Sequence, residues 1–179
     1  MCAMNCTIIK YMKMLNVKSF QETLNAGMCG PASLKIVLDY YGLEKSEKDL
    51  ALLCDTDSVL GTNDISIKKA AESLGFRAEI KNNSSFVDIQ NYIDMNIPVI
   101  VDWFTKGRSD ALDSDVADGH YSVVVGLDDE YVYLQDPEIG GLRKILRDDF
   151  IKVWFDFSGE IITSWSDMII RQIIVIYPI

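Results

Sequence analysis

The run from Gly27 to Leu34 limits the possible folds of this chain more strongly than any other. It has the sequence Gly-Met-Cys-Gly-Pro-Ala-Ser-Leu. This pattern predicts the first turn of a helix, because proline is tolerated where a backbone N–H has no partner anyway. Apolar residues follow at helical spacing, and Gly42 is a typical helix stop; they are Leu34, Val37, Leu38 and Tyr41. A cysteine, Cys29, therefore stands at the N-terminus of a helix.

A cysteine in this position has the chemistry of a nucleophile. The free N–H groups and the positive end of the helix dipole would face the Cys29 sulfur and favour its thiolate form. Such a nucleophile needs a base, and the chain contains one histidine, His120. His120 precedes the apolar run Tyr121–Val125, and Asp136 follows the next run, Tyr131–Gln135. A hairpin of these runs would bring His120 and Asp136 to one end of a sheet, as base and orienting acid.

Three motifs resemble the C39-like peptidases of the papain-like superfamily. They are Cys-Gly-Pro-Ala-Ser-Leu on a helix, Asp-Gly-His-Tyr before a strand and Asp-Pro after the next strand. They occur in the family's order, and the resemblance extends from about Leu15 to Phe155. It implies Cys29 as nucleophile, His120 as general base, Asp136 as orienting acid and Gln21 as a contributor to the oxyanion hole. Seven residues separate Gln21 from Cys29, where the family usually has five.

The other patterns predict an α+β chain. Capping signatures and helical apolar spacing indicate further helices, namely Ser46 to about Leu53, Ile67–Leu74, Ser85–Ile93 and Asp148–Phe155. Apolar runs indicate strands, namely a short edge strand before Gln21, Phe76–Lys81, Ile97–Val101, Leu142–Leu146 and a closing strand at Met168–Tyr177. Helices dominate the first half and antiparallel strands the second.

Neither repeats nor an internal boundary divide the chain, so residues 1–179 are expected to form a single C39-like peptidase domain. The resemblance implies a papain-like cysteine peptidase fold. In that fold the helical first half would pack its nucleophile helix on an antiparallel sheet formed by the second half.

The charge and the cysteines restrict the possible partners and location. A net charge of -10 argues against a nucleic-acid partner. It is compatible with a cationic peptide substrate and equally with an ordinary acidic surface. No apolar run is long enough to cross a bilayer, and no secretory signal precedes the cysteines, so a reduced cytoplasmic location is expected.

Cys2 and Cys6 lack further ligands for a metal site, and Cys54 is expected in the core. The sequence predicts no cofactor, no metal and no particular oligomeric state.

The segment Asp102–Asp118 has no secondary-structure period. It contains Asp110, Asp113 and Asp115 and leads directly to His120. A loop of this length is usually functional or disordered. Three interpretations stay open: a solvated loop, a lid or wall that binds basic substrate groups, and a Ca²⁺ site, although the glycine and terminal glutamate of an EF-hand loop are missing.

Hydrolysis of a peptide bond in a peptide or protein substrate, through an acyl-enzyme, is the first functional hypothesis. Members of the family that the chain resembles process leader peptides, often while fused to membrane transporters. This chain shows neither a membrane span nor a nucleotide-binding domain, so a free-standing enzyme is expected. Acyl transfer to an amine on the same triad is the first alternative. A non-catalytic peptide-binding module with this fold is the second.

Overall fold

The structure is a computed structural model that describes residues 13–24, 27–57, 61–107, 109, 118–158 and 162–179. The α-helices of this part of the chain are α1 Cys29–Tyr40, α2 Glu47–Leu53, α3 Asp64–Ser73, α4 Phe86–Asp94 and α5 Arg147–Val153. The strands are β1 Phe76–Lys81, β2 Val99–Phe104, β3 Gly119–Leu127, β4 Tyr131–Asp136, β5 Gly141–Leu146, β6 Phe155–Phe157, β7 Met168–Ile170 and β8 Ile173–Pro178. A 3-10 turn covers Trp165–Asp167.

One antiparallel sheet forms the centre of the fold. Its strand order is β1-β8-β2-β3-β4-β5, and β6 pairs with β7 in a separate two-stranded sheet. Strand β3 pairs with β2 on one side and with β4 on the other. It is buried from His120 to Leu127, as expected of a strand covered on both faces. The α+β architecture predicted from the sequence is confirmed.

Helix α1 packs on the central strand β3. Its Ser33 hydroxyl donates a hydrogen bond of 3.0 Å to the Tyr121 carbonyl. Leu34, Val37 and Leu38 are fully buried, so they form the apolar face that the spacing predicted. Gly42 follows the helix with a φ of 82°, a conformation that glycine adopts without strain.

The capping signatures give the predicted helices. The Ser46 side chain accepts a hydrogen bond from the Asp49 N–H at the start of α2. Ser85 and Asp88 form the reciprocal capping box of α4. Helix α5 is shorter than predicted, because it ends at Val153 and Phe155 already belongs to β6.

The prediction of one closing strand at Met168–Tyr177 is wrong. Arg171 has a φ of 47° and breaks the run into β7 and β8. The Gln172 side chain turns inward and donates hydrogen bonds to Asp64 and Asn82. Strand β8 then enters the main sheet between β1 and β2 rather than extending an edge. The polar residues Arg171 and Gln172 therefore mark the point at which the chain passes from the two-stranded sheet to the main sheet.

The expected edge strand before Gln21 is reduced to one bridge between Met14 and Gly126. Residues 7–12 of that segment lie outside the described part of the chain.

Trp103 and Trp154 are both buried in the core. Among the residues that the structure covers, every helix is too short or too polar to cross a membrane.

Candidate active site

Cys29 is the first residue of α1 and is partly exposed. The preceding residue, Met28, makes no side-chain capping bond to the helix. The backbone N–H groups of the first turn are therefore left without a side-chain cap beside the sulfur. Gly30 allows Thr62 to approach helix α1 closely, since a Cβ on residue 30 would lie only 2.8 Å from the Thr62 Cβ.

His120 lies at the start of β3, where its ring is nearly enclosed. Its Nε2 atom is 2.8 Å from a carboxylate oxygen of Asp136. The Trp103 ring meets the imidazole edge-on, with 5.6 Å between ring centroids. The hairpin of β3 and β4 thus brings His120 and Asp136 together, as the sequence predicted.

The imidazole also interacts with Cys29, which acts together with Asp136 to raise the pKa of the ring. Burial alone would lower the pKa of His120. The hydrogen bonds and charges of Asp136 and Cys29 outweigh burial and hold that pKa well above its usual range. Asp136 and Cys29 thus both favour the protonated form of the ring.

Asp136 is fully buried and has three hydrogen-bond partners. Besides His120, its carboxylate accepts hydrogen bonds from the Arg143 guanidinium and from the Glu138 backbone N–H, the latter at 3.0 Å. Burial raises the pKa of Asp136, but the bonds to His120 and Arg143 are stronger and the net shift is downward. The carboxylate consequently stays ionised despite its burial.

Arg143 is a site residue that the sequence reasoning missed. It lies on β5 opposite Leu134 and also contacts Glu138, at 3.2 Å. Its guanidinium is 5.9 Å from the Trp103 ring centroid. The predicted strand Leu142–Leu146 pairs with β4 and so places Arg143 over Asp136, but its arginine was not singled out in the sequence.

Gln21 is exposed, and its amide nitrogen donates a hydrogen bond of 3.4 Å to the Glu138 carbonyl. Its Cβ lies against Gly140, 2.6 Å from the position that a Cβ on that glycine would take. Gln21 is thus beside the loop that follows Asp136. Its role in an oxyanion hole stays a prediction.

Two acids lie close to the residue before His120: Asp102 is buried and Asp156 is half-buried. The Asp156 carboxylate occupies the space in which a side chain on Gly119 would lie. Burial, and then the nearby Asp156, raise the pKa of Asp102 well above its usual range. The glycine before His120 is thus required by the packing of Asp156.

The segment Asp102–Asp118 was predicted to start too early, because Asp102, Trp103 and Phe104 continue strand β2. Asp110, Asp113 and Asp115 lie outside the described residues. The three interpretations of that segment stay open. Cys2 and Cys6 also lie outside the described part of the chain.

Alkylation should separate the two cysteines that the structure describes. Cys54 is buried in the core, and its burial raises the pKa of the thiol to about 12. We expect iodoacetamide to modify Cys29 and to leave Cys54 untouched between pH 5 and pH 9, because the thiolate is the reactive form. Peptide mass spectrometry over a time course measures both rates. Unfolded protein, in which both thiols should react, is the control. Equal rates in the folded protein would contradict the assignment.

A comparison with protein families places the chain. The model of the Peptidase_C39 like family matches residues 13–162. The chain belongs to this family. It is 28% identical over 151 residues to the lactococcin-A transport/processing ATP-binding protein LcnC of Lactococcus lactis, an alignment that covers 83% of this chain and 19% of LcnC. The chain thus spans about a fifth of the length of the transporter it matches.

Two solved structures of peptidase domains have the same fold. The peptidase domain of Streptococcus ComA, described as a bifunctional ABC transporter, has a TM-score of 0.65 and 24% identity, covering 89% of this chain and 98% of that domain. A double glycine motif protease from an AMS/PCAT transporter, solved with its leader peptide, has a TM-score of 0.67 and 21% identity over 93% of this chain and 94% of that one. At these identities the likeness establishes the fold alone.

Proposed function

We propose that this chain is a cysteine peptidase that hydrolyses peptide bonds through a Cys29-His120-Asp136 triad. One observation carries the proposal: a buried imidazole is hydrogen-bonded to a buried carboxylate and interacts electrostatically with a cysteine at a helix N-terminus. This is the geometry that acyl transfer from a thiol requires. Membership of the C39-like family supports it.

The first step is attack of the Cys29 thiolate on the carbonyl carbon of the substrate. A C–S bond forms and the π-electron pair of the carbonyl moves to its oxygen. The free backbone N–H at the start of α1 donates to this oxyanion. The resemblance implies Gln21 as the second donor.

Breakdown of the tetrahedral intermediate follows. The C–N bond breaks and the His120 imidazolium gives its proton to the leaving amine. Water then loses a proton to His120 and attacks the thioester, which releases the acid and restores the thiolate. Asp136 holds the ring in the orientation for both transfers, and Arg143 holds Asp136.

A peptide with two small residues before the scissile bond is the proposed substrate. The support is the structurally similar protease, which is described as specific for a double glycine motif and was solved with a leader peptide. Whether this chain shares that preference is part of the proposal.

Cleavage of matched synthetic peptides tests this function. We expect a peptide with a central Gly-Gly to be cut after the second glycine, and the same peptide with Leu-Leu at that position to stay intact. Liquid chromatography with mass spectrometry detects the products. Adding glycinamide distinguishes hydrolysis from transfer, since a transferase would form the glycinamide adduct. Binding without cleavage, while Cys29 still alkylates, would contradict the peptidase proposal and favour a peptide-binding module.

A further inference from the structure

A buried carboxylate on α2 binds the short segment, residues 21–23, that carries Gln21. This carboxylate is Glu47, which lies in the first turn of α2 and is 5% exposed. One of its oxygens accepts a hydrogen bond of 3.0 Å from the Thr23 N–H, and the other accepts one of 2.6 Å from the Thr23 hydroxyl. Hydrogen bonds to a charged acceptor are stronger than those between neutral groups. Thr23 is therefore fixed to α2 through both its backbone and its side chain.

Helix α2 is a firm support for this carboxylate. Its Leu50 is fully buried in the core, and the helix contacts α1 directly. The Lys35 ammonium of α1 donates a hydrogen bond of 2.9 Å to the carbonyl of Lys45, two residues before α2 begins. The Glu47 carboxylate is thus connected by packing and by hydrogen bonding to the helix that begins with Cys29.

The opposite side of the segment is attached to the loop after Asp136. The Glu22 N–H donates a hydrogen bond of 2.9 Å to the Pro137 carbonyl, and the Gln21 amide donates one of 3.4 Å to the Glu138 carbonyl. A side-chain amide carries two N–H groups, so this bond leaves the second N–H of an exposed side chain for a substrate. The segment is therefore held between α2 and this loop.

The covalent link to the nucleophile does not by itself fix the segment. Seven residues separate Gln21 from Cys29, and a link of that length can extend over roughly 26 Å. A catalytic group has to be held within about 0.5 Å of its productive position. Hydrogen bonds to other elements are therefore needed to fix the Gln21 amide, and those of Thr23 to Glu47 are the shortest that the segment makes to α2.

We propose that Glu47 is a positioning residue for the oxyanion hole, and that it acts by fixing Thr23 and so the amide of Gln21. This inference rests on the peptidase function proposed above, in which Gln21 is the second oxyanion donor. In this role Glu47 neither touches the substrate nor transfers a proton, so the covalent steps are unchanged. Its effect is confined to the transition state, because the oxyanion develops only during the reaction.

Two substitutions of Glu47 test this role, with cleavage of the Gly-Gly peptide as the readout. Glu47→Ala should lower kcat about 10²-fold and leave KM nearly unchanged, because misplacing a catalytic group by about 1 Å has an effect of that size. Glu47→Gln should stay within about 10-fold of the wild type. Its amide oxygen can accept from the Thr23 N–H, and its amide nitrogen can donate to the Thr23 hydroxyl. Asp49→Ala should keep the wild-type kcat and is the matched control, since Asp49 is an exposed acid in the same turn of α2.

The double variant Gln21→Ala/Glu47→Ala distinguishes positioning from general structural support. Gln21→Ala alone should lower kcat about 10²- to 10³-fold, because one oxyanion donor is lost. Since Glu47 acts through Gln21, adding Glu47→Ala should cause less than about a threefold further loss. Independent effects would multiply instead. Cys29 should be alkylated at the wild-type rate in all of these variants, because the nucleophile and its base are unchanged.

Three results would overturn the inference. They are wild-type kcat in Glu47→Ala or in Gln21→Ala, Glu47→Gln as impaired as Glu47→Ala, and losses that multiply in the double variant. If Glu47→Ala fails to fold, Thr23→Val decides, because it removes the hydroxyl that Glu47 binds and leaves α2 unchanged. Thr23→Val should lower kcat about 10-fold, and wild-type kcat in this variant would overturn the inference.

The control for the function itself is Cys29→Ala. Wild-type protein no faster than Cys29→Ala would overturn the peptidase proposal and this inference together. A wild type faster than Cys29→Ala, with Glu47→Ala unimpaired, would overturn only the role of Glu47.

Discussion

Replacing Cys29 by alanine is expected to lower kcat for the Gly-Gly peptide about 10⁶-fold, as removal of a triad nucleophile does in other acyl-transfer enzymes. The variant keeps His120, Asp136 and the free N–H groups of α1, but it cannot form the thioester. Helix α1 should be unaffected, because Cys29 is partly exposed and alanine favours helices. Steady-state cleavage and circular dichroism measure the two properties.

Cys54→Ala is the matched control, since it removes a thiol from the core instead of the site. It should lower the free energy of unfolding by about 1 kcal/mol and leave the turnover of the folded protein unchanged. Cleavage that survives in Cys29→Ala and disappears in Cys54→Ala would refute the assignment of the nucleophile.

Asp136→Asn is expected to have the second-largest effect, a fall in kcat of about 10⁴-fold. Asparagine has nearly the same shape, but it removes the charge that helps to raise the pKa of His120. It also offers an amide N–H or a neutral oxygen to Nε2, so the wrong tautomer of the imidazole is favoured. The Arg143 guanidinium loses its buried partner and keeps only the bond to Glu138.

One measurement and one control variant separate this effect from unfolding. Cys29 alkylation at pH 6 should become slower, because a less basic imidazole no longer favours the thiolate. Asp88→Asn is the control, because Asp88 is also ion-paired but caps α4 away from the site. An Asp136→Asn variant with native turnover would exclude Asp136 from the triad.

Local sequence signals were sufficient for the parts of the site that adjacent segments build. The proline after Cys29 and the apolar spacing behind it predicted α1. The two apolar runs and the loop between them predicted the hairpin that joins His120 to Asp136. Each of these signals acts over a few residues, so it can be interpreted without knowing the rest of the fold.

The remaining parts depend on contacts between distant segments. Gln21 lies beside the loop after Asp136 because its amide bonds to the Glu138 carbonyl, 117 residues further along the chain. No local signal in the sequence indicates this contact. The split of the last apolar run was equally hidden, since it depends on the backbone conformation of Arg171.

The position of β8 has a consequence for the order of folding. Strand β8 pairs with β1 on one side and with β2 on the other. Strand β2 carries Trp103, which lies beside His120. During synthesis β1 and β2 leave the ribosome long before residues 173–178, so the gap between them stays unfilled until those residues emerge. Sheets completed by such long-range pairing form slowly. The chain loses conformational entropy when the long loop closes, before the new contacts can compensate for that loss. The hairpin of β3 and β4 can form earlier, so a growing chain holds His120 next to Asp136 before the sheet that supports them is complete.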